Sequence, residues 1–182
     1  FYSNTTGQLT KKRYTNAGVV KDVDYYYDSL GRINRLDDWV GDANNDGHHF
    51  AYDPNGNVTT YTDFDDKTLT RQYDAFGKPT SMTAYETGNT NTYVYDNMGR
   101  LTTLTAPANK QWGFSYNNVG QPTSYTWPNG MATVYTYDTA GRLTKIEHKD
   151  GTAVKAGWTY DVDKANQILR ISDAKTTPAT TQ

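Results

Sequence analysis

The segment Asp42-Ala-Asn44-Asn-Asp46-Gly47-His48 carries the oxygen donors of a cation site. D-x-N-x-D-G opens a calcium loop, in which alternating oxygen ligands converge around a sharp Gly turn. With Asp42 at the first loop position, Asp53 falls at the last. A Glu there would chelate through both oxygens, whereas the shorter Asp reaches with one. Calcium held by Asp42, Asn44, Asp46, His48 and Asp53 is one expectation for this segment. An ordinary polar surface turn is the other, because Asn, Asp and Gly are also plain loop residues. His48 and His49 are adjacent, so on an extended strand they point to opposite faces and do not share a metal.

Other chemistry is thinly represented. Asp63, Asp65, Asp66 and Asp150 could pair for acid–base work, but they lie in turn contexts and read as solvated loop charges. No G-x-S-x-G, H-E-x-x-H or P-loop pattern occurs. The absence of cysteine removes disulfides, thiolate zinc sites and a thiol nucleophile. No catalytic residue and no cofactor other than calcium is expected, and the chain does not read as an enzyme. Trp39, Trp112, Trp127 and Trp158 could stack on sugar rings. Trp127, in a long turn outside the repeating pattern, is the best glycan candidate.

These residues sit within a repeated seven-residue pattern: Tyr, Asp or Asn, two variable residues, Gly, a polar residue, then usually an aliphatic. It occurs at Tyr27-Asp28…Gly31, Tyr52-Asp53…Gly56, Tyr73-Asp74…Gly77, Tyr95-Asp96…Gly99, Tyr116-Asn117…Gly120 and Tyr137-Asp138…Gly141. The spacings are 25, 21, 22, 21 and 21 residues. Such self-similarity signals a repeat architecture, in which each unit buries its apolar face only against its neighbours. The calcium-like segment fills the longest spacing.

Within a repeat the signature predicts a β-hairpin. Asp accepts a hydrogen bond from the backbone two residues on, and Gly supplies the left-handed conformation that ends a type I turn in a bulge. The position two before the signature Tyr is aromatic in Tyr25, Phe50, Tyr93, Phe114 and Tyr135, with Arg71 the exception. Together with the signature Tyr this places two aromatics on one strand face. Apolar columns follow two and five positions after Gly. These have opposite parity, so a bulge, a bend or a two-faced strand must intervene. Thr59, Thr80, Thr102, Thr123 and Thr144 read as an exposed β face. Pro79 and Pro122 belong at a strand start or on an unpaired side. Looser turns at 106–110, 127–130 and 148–151 join successive hairpins, and no segment shows helical periodicity.

Composition sets the remaining limits. The 182 residues have 35% hydrophobic content, a mean hydropathy of −0.86 and 16 tyrosines, whose rings supply area that the low aliphatic content does not. A net charge of −2 provides no electrostatic footprint for nucleic acid. No apolar run approaches the ~20 residues of a membrane span. The chain opens at Phe1 without an initiator Met, inside degenerate repeat-like sequence, and reads as a fragment of something longer.

Six copies of Tyr-Asp/Asn-x-x-Gly in register, three of which continue as Arg-Leu/Ile, resemble the YD repeat of the Rhs and teneurin families. The resemblance implies an all-β fold: tandem β-hairpins forming a curved, spiralling antiparallel sheet strip, here an open arc of a hollow shell. It implies a non-catalytic wall segment of a secreted or surface bacterial protein that encapsulates a toxin or presents an adhesive surface. A carbohydrate-binding module with exposed aromatics is the alternative. The expected partners are flanking YD repeats and an enclosed C-terminal domain of the same parent chain, or a cell-surface glycan or protein. Self-association through open strand edges is also expected. The self-cleaving protease segment of Rhs proteins has no counterpart here. Residues 1–13 read as a degenerate edge repeat, 14–171 as a YD strip of about eight units with a period near 21, and 172–182 as a frayed polar tail. Tyr14…Gly18 reads as a shortened unit, and Tyr160-Asp161 as a final copy with Lys164 in place of Gly.

Overall fold

Turn signals separated by alternating residues dictate strands, and only strands form among the described residues. The computed structural model describes residues 1–16, 18–38, 47–165 and 167–173. They belong to two compact units, Phe1–Asn91 and Thr92–Gln182. The first holds β1 (Lys11–Asn16), β2 (Val19–Tyr27), β3 (Ile33–Asp38), β4 (His48–Tyr52), β5 (Val58–Thr62), β6 (Thr68–Tyr73) and β7 (Pro79–Ala84). β8 (Thr90–Tyr95) begins in the first unit and ends in the second. The second continues with β9 (Leu101–Ala106), β10 (Lys110–Tyr116), β11 (Pro122–Thr126), β12 (Met131–Tyr137), β13 (Leu143–Asp150), β14 (Ala153–Val162) and β15 (Ile168–Asp173). In each unit the strands are antiparallel and follow chain order in the sheet.

Burial follows the alternation. In β8, Tyr93 and Tyr95 are half-buried while Thr92 and Val94 are exposed. In β4, His48, Phe50 and Tyr52 are half-buried while His49 and Ala51 are exposed, so the two histidines do face opposite ways. No apolar side chain is fully buried among the described residues. The aromatics are instead covered by cross-strand neighbours on their own face. In the first unit the Phe50 and Tyr61 ring centroids lie 5.3 Å apart. In the second, Tyr125 meets both Phe114 and Tyr135 edge-on at 5.5 Å.

A bulge resolves the parity of the two apolar columns. At each signature hairpin the register shifts beside the signature Tyr. Tyr95 pairs with Leu101 and Val94 with Thr103, so Thr102 is skipped; Tyr93 then pairs with Leu104. The extra residue returns the fifth position to the face of the second. The threonine column therefore does not line an exposed face. Thr59, Thr80, Thr102, Thr123 and Thr144 are half-buried bulge residues, and the Thr102 and Thr144 hydroxyls donate to Val94 O and Thr136 O. Pro79 and Pro122 open β7 and β11, where no ladder donor is required.

Two assignments at the ends of the array change. Tyr14…Gly18 is not a signature hairpin but the looser turn between β1 and β2. The turn that precedes it is Ser3–Gly7, one residue longer than a signature turn and closed by Gly7 N–H to Ser3 O, with the Tyr2–Leu9 bridge behind it. At the other end the turn is built on Asp163 rather than Asp161. Asp163 N–H donates to Gln167 O, and Val162 takes the place of the signature Tyr opposite Ile168. Tyr160 lies two residues earlier, in the inner aromatic column opposite Ile171. In both places the turn forms at the side chain that accepts its N–H groups, Ser3 at one end and Asp163 at the other, rather than at the nearest Tyr-to-Gly spacing.

Candidate functional site: the latch between repeats

The Asp96 turn shows how each signature is built. Met98 N–H and Arg100 N–H both donate to Asp96 Oδ1, each at 2.9 Å. Gly99 N–H donates to Asp96 O at 2.8 Å, and Gly99 takes φ 78°. Arg100 Nε then donates to Asp96 Oδ2 at 2.7 Å. Asp28 with Arg32 and Asp138 with Arg142 repeat this geometry. Asn117 reproduces it without charge, accepting from Val119 and Gln121 N–H and donating to Gln121 Oε1. Backbone N–H donation from the residue after Gly, reinforced by its guanidinium, holds the Asp28, Asp96 and Asp138 carboxyls below their ordinary range. For Asp53 the Asn57 side chain is the main cause.

Two kinds of side chain then tie one signature to the next. The signature tyrosines reach back: Tyr27 OH donates to Leu9 O at 2.7 Å, Tyr52 OH to Ile33 O at 2.6 Å, Tyr73 OH to Val58 O at 2.8 Å and Tyr137 OH to Pro122 O at 2.9 Å. In every case the acceptor is the residue two after the preceding repeat's Gly. The residue directly after Gly reaches forward. Arg32 Nη1 donates to Asp53 O at 3.0 Å with its guanidinium 4.5 Å from the Tyr52 ring, and Arg100 Nη1 donates to Asn117 O at 3.1 Å while lying 4.7 Å from the Tyr116 ring. Arg142 Nη1 donates to Asp163 O, and Gln121 Nε2 to Gly141 O at 2.7 Å. The arrangement locks each hairpin to both neighbours.

Sequence reasoning missed this forward latch. The position was read only as polar, although a side chain long enough to span the gap recurs there as Gln8, Arg32, Arg100, Gln121 and Arg142.

Of the calcium-like residues, the structure describes His48 and Asp53. Asp42, Asn44 and Asp46 lie outside the described residues. Both Asp53 oxygens accept from Asn57 at 2.8 Å, and His48 Nδ1 shares a 2.8 Å hydrogen bond with Tyr61 OH. Among the described residues no group of three His, Asp or Glu side chains is placed to hold a metal ion. Asp63 accepts turn N–H groups from Asp65 and Lys67, which makes it a turn former. Trp127 begins a turn closed by Gly130 N–H to Trp127 O. It borders an aromatic recess of about 680 Å³ that also includes Tyr135, His148 and Trp158. No helix among the described residues is long and apolar enough to cross a membrane.

Residues 38–153 match the Teneurin YD-shell family. The structure is similar to the crystal structure of TcdB2-TccC3, with TM-score 0.68 and 16% identity over 94% of this chain and 10% of that one. It is similar to TcdB2-TccC3-Cdc42 with TM-score 0.64 and 16% identity, covering 92% of this chain and 10% of that one. It also resembles the Photorhabdus luminescens Tc holotoxin pore, carrying TccC3-D651A, with TM-score 0.51 and 15% identity over 87% of this chain and 10% of that one. At these identities the likeness is one of fold. No curated protein matches the chain.

Proposed function

The chain belongs to the Teneurin YD-shell family, and we propose that it is a non-catalytic stretch of shell wall whose parent encloses a C-terminal domain of its own chain. The observation that carries this reading is the recurrence of the latch. Tyr27, Tyr52, Tyr73 and Tyr137 make the same backward bond, and Arg32, Arg100 and Arg142 the same forward one. An enzyme concentrates unusual chemistry at one place; here the same neutralised turns recur along the chain. The chain spans about a tenth of the solved chains it resembles. A wall long enough to enclose cargo therefore needs repeats beyond those present here. One of the similar structures is described as TcdB2-TccC3 without a hypervariable C-terminal region, which supports looking for the cargo C-terminal to the repeats. We place the parent outside the cell, as a secreted or surface-displayed bacterial protein. Limited proteolysis of the full-length parent tests enclosure. A C-terminal domain that resists protease while the wall is folded, and is cut once the wall is unfolded, is the expected result. Cleavage at the same rate in both conditions overturns the reading.

A further inference from the structure

Trp127 and His148 each stand seven residues after a signature Gly, a place that Asp63, Ala84 and Ala106 fill in other copies. Trp158 stands four residues before Val162, where the copies of Tyr73, Tyr95 and Tyr137 carry Leu69, Asn91 and Thr133. Neither place needs an aromatic ring to build the hairpin or the latch. In the second unit these three rings nevertheless converge on one sheet face, around the recess of about 680 Å³. That volume falls within the range of small-ligand sites, which join aromatic walls to a few placed polar groups.

Cross-strand register sets the floor of the recess. Thr133 on β12 pairs with Tyr125 on β11 and with His148 on β13. Thr133 is 4% exposed, and its hydroxyl shares a 2.9 Å hydrogen bond with His148 Nδ1. The His148 and Trp158 rings meet nearly at right angles, with centroids 5.7 Å apart. The imidazole is thus held on two sides before any ligand arrives, as a preformed site requires. Above this floor Trp127 and Trp158 stay 48% and 41% exposed. Burial pushes the Tyr135 hydroxyl up, so it remains a neutral donor. No Asp, Glu, Lys or Arg lines the recess among the described residues, so a charged ligand would find no counter-charge there. A purely apolar ligand would leave the polar floor desolvated and unpaired. A gluco-configured sugar meets both conditions, because its ring faces carry C–H groups and its hydroxyls lie around the rim. From β11 to β14 is three strand spacings, roughly 14 Å, which takes more than one sugar ring to cross. We propose that the recess binds an uncharged, gluco-configured oligosaccharide, stacked on Trp127 and Trp158 with its hydroxyls on Tyr135 OH and His148 Nε2. The site lies within one unit and does not depend on the wall reading.

Isothermal titration calorimetry of the chain with cellotetraose, maltotetraose and N-acetylchitotetraose tests it. At least one of these should bind saturably, and at least about tenfold more tightly than its own monosaccharide. Trp127→Ala and Trp158→Ala should each lower that affinity at least about tenfold. Trp112→Ala, whose ring does not line the recess, should leave it within about twofold. Far-UV circular dichroism checks folding, and Trp158→Leu, which keeps bulk without an aromatic face, replaces the alanine variant if that one unfolds. Three results would overturn the proposal: no saturable binding of any of the three tetrasaccharides; binding that survives both tryptophan substitutions; or tetramethylammonium binding more tightly than every sugar, which would make the recess a cation cage. None of these bears on whether a parent's C-terminal domain resists protease.

Discussion

Replacing Tyr52 by Phe removes one oxygen and leaves the ring, the strand and the turn in place. The hydroxyl donates to Ile33 O at 2.6 Å in a half-buried setting, so the substitution leaves a carbonyl of the preceding repeat without that donor. A net intramolecular hydrogen bond contributes about 1 kcal/mol. Because the acceptor retains some access to water, we expect a loss of about 1 kcal/mol, read as a urea midpoint shift at unchanged slope. In a chain of this size that corresponds to roughly 2–4 °C in Tm. Tyr27→Phe, Tyr73→Phe and Tyr137→Phe remove bonds to Leu9, Val58 and Pro122, which are three separate acceptors. Their combination should therefore cost about 3 kcal/mol. The control is Tyr26→Phe, on the other strand face and 44% exposed, which should stay within about 0.5 kcal/mol of wild type. If Tyr52→Phe cannot be distinguished from Tyr26→Phe, the signature hydroxyls do not hold repeats together.

The remaining predictions concern the turns. Gly99→Ala forces a Cβ into φ 78° and should cost about 1–2 kcal/mol, whereas Ala108→Gly, which relieves a non-glycine residue at φ 61°, should stabilise by up to about 1 kcal/mol; thermal melts of the two variants should move in opposite directions. Asp28, Asp96 and Asp138 have carboxyls below their ordinary range in the folded chain, and Arg13 is the main cause that lowers Asp22 to about 2. Because the folded values lie below the unfolded value of ~3.9, their contribution is complete above that value and is lost as pH falls through the folded values. Urea midpoints should thus hold from neutral pH down to about 5 and fall below about 4; a decline beginning near pH 6 would implicate other groups. Asp96→Asn with Arg100→Gln copies the Asn117–Gln121 turn. It should leave stability at neutral pH within about 1 kcal/mol of wild type while shallowing the acid dependence; an unchanged acid limb would remove Asp96 from the explanation.

The strand content and the signature hairpins were legible because Asp and Gly impose local geometry that tertiary context does not override. Tyr95, Asp96 and Gly99 specify their turn within one short segment. The bulge was legible only as a necessity, since the parity of Leu101 and Leu104 demands an irregularity without locating it; the cross-strand register placed it at Thr102. The forward latch escaped because its partner is a carbonyl in the next repeat, as for Arg100 and Asn117 O, and a carbonyl carries no mark in the sequence. The end repeats were misplaced for a related reason. Asp161 has the sequence neighbour expected of a signature, but Asp163 has the N–H donors. Trp127 opens a turn, as the Pro-Asn-Gly that follows it implies. Its neighbours His148 and Trp158 come from other strands, and spacing alone could not bring them together.

Electron cryomicroscopy of the full-length parent tests the central claim most directly. These repeats should appear as one continuous stretch of a closed wall, with signature hydroxyls bonded to the preceding repeat and a separate domain inside. A parent in which this sheet stands alone, with both faces in solvent and nothing enclosed, would contradict it.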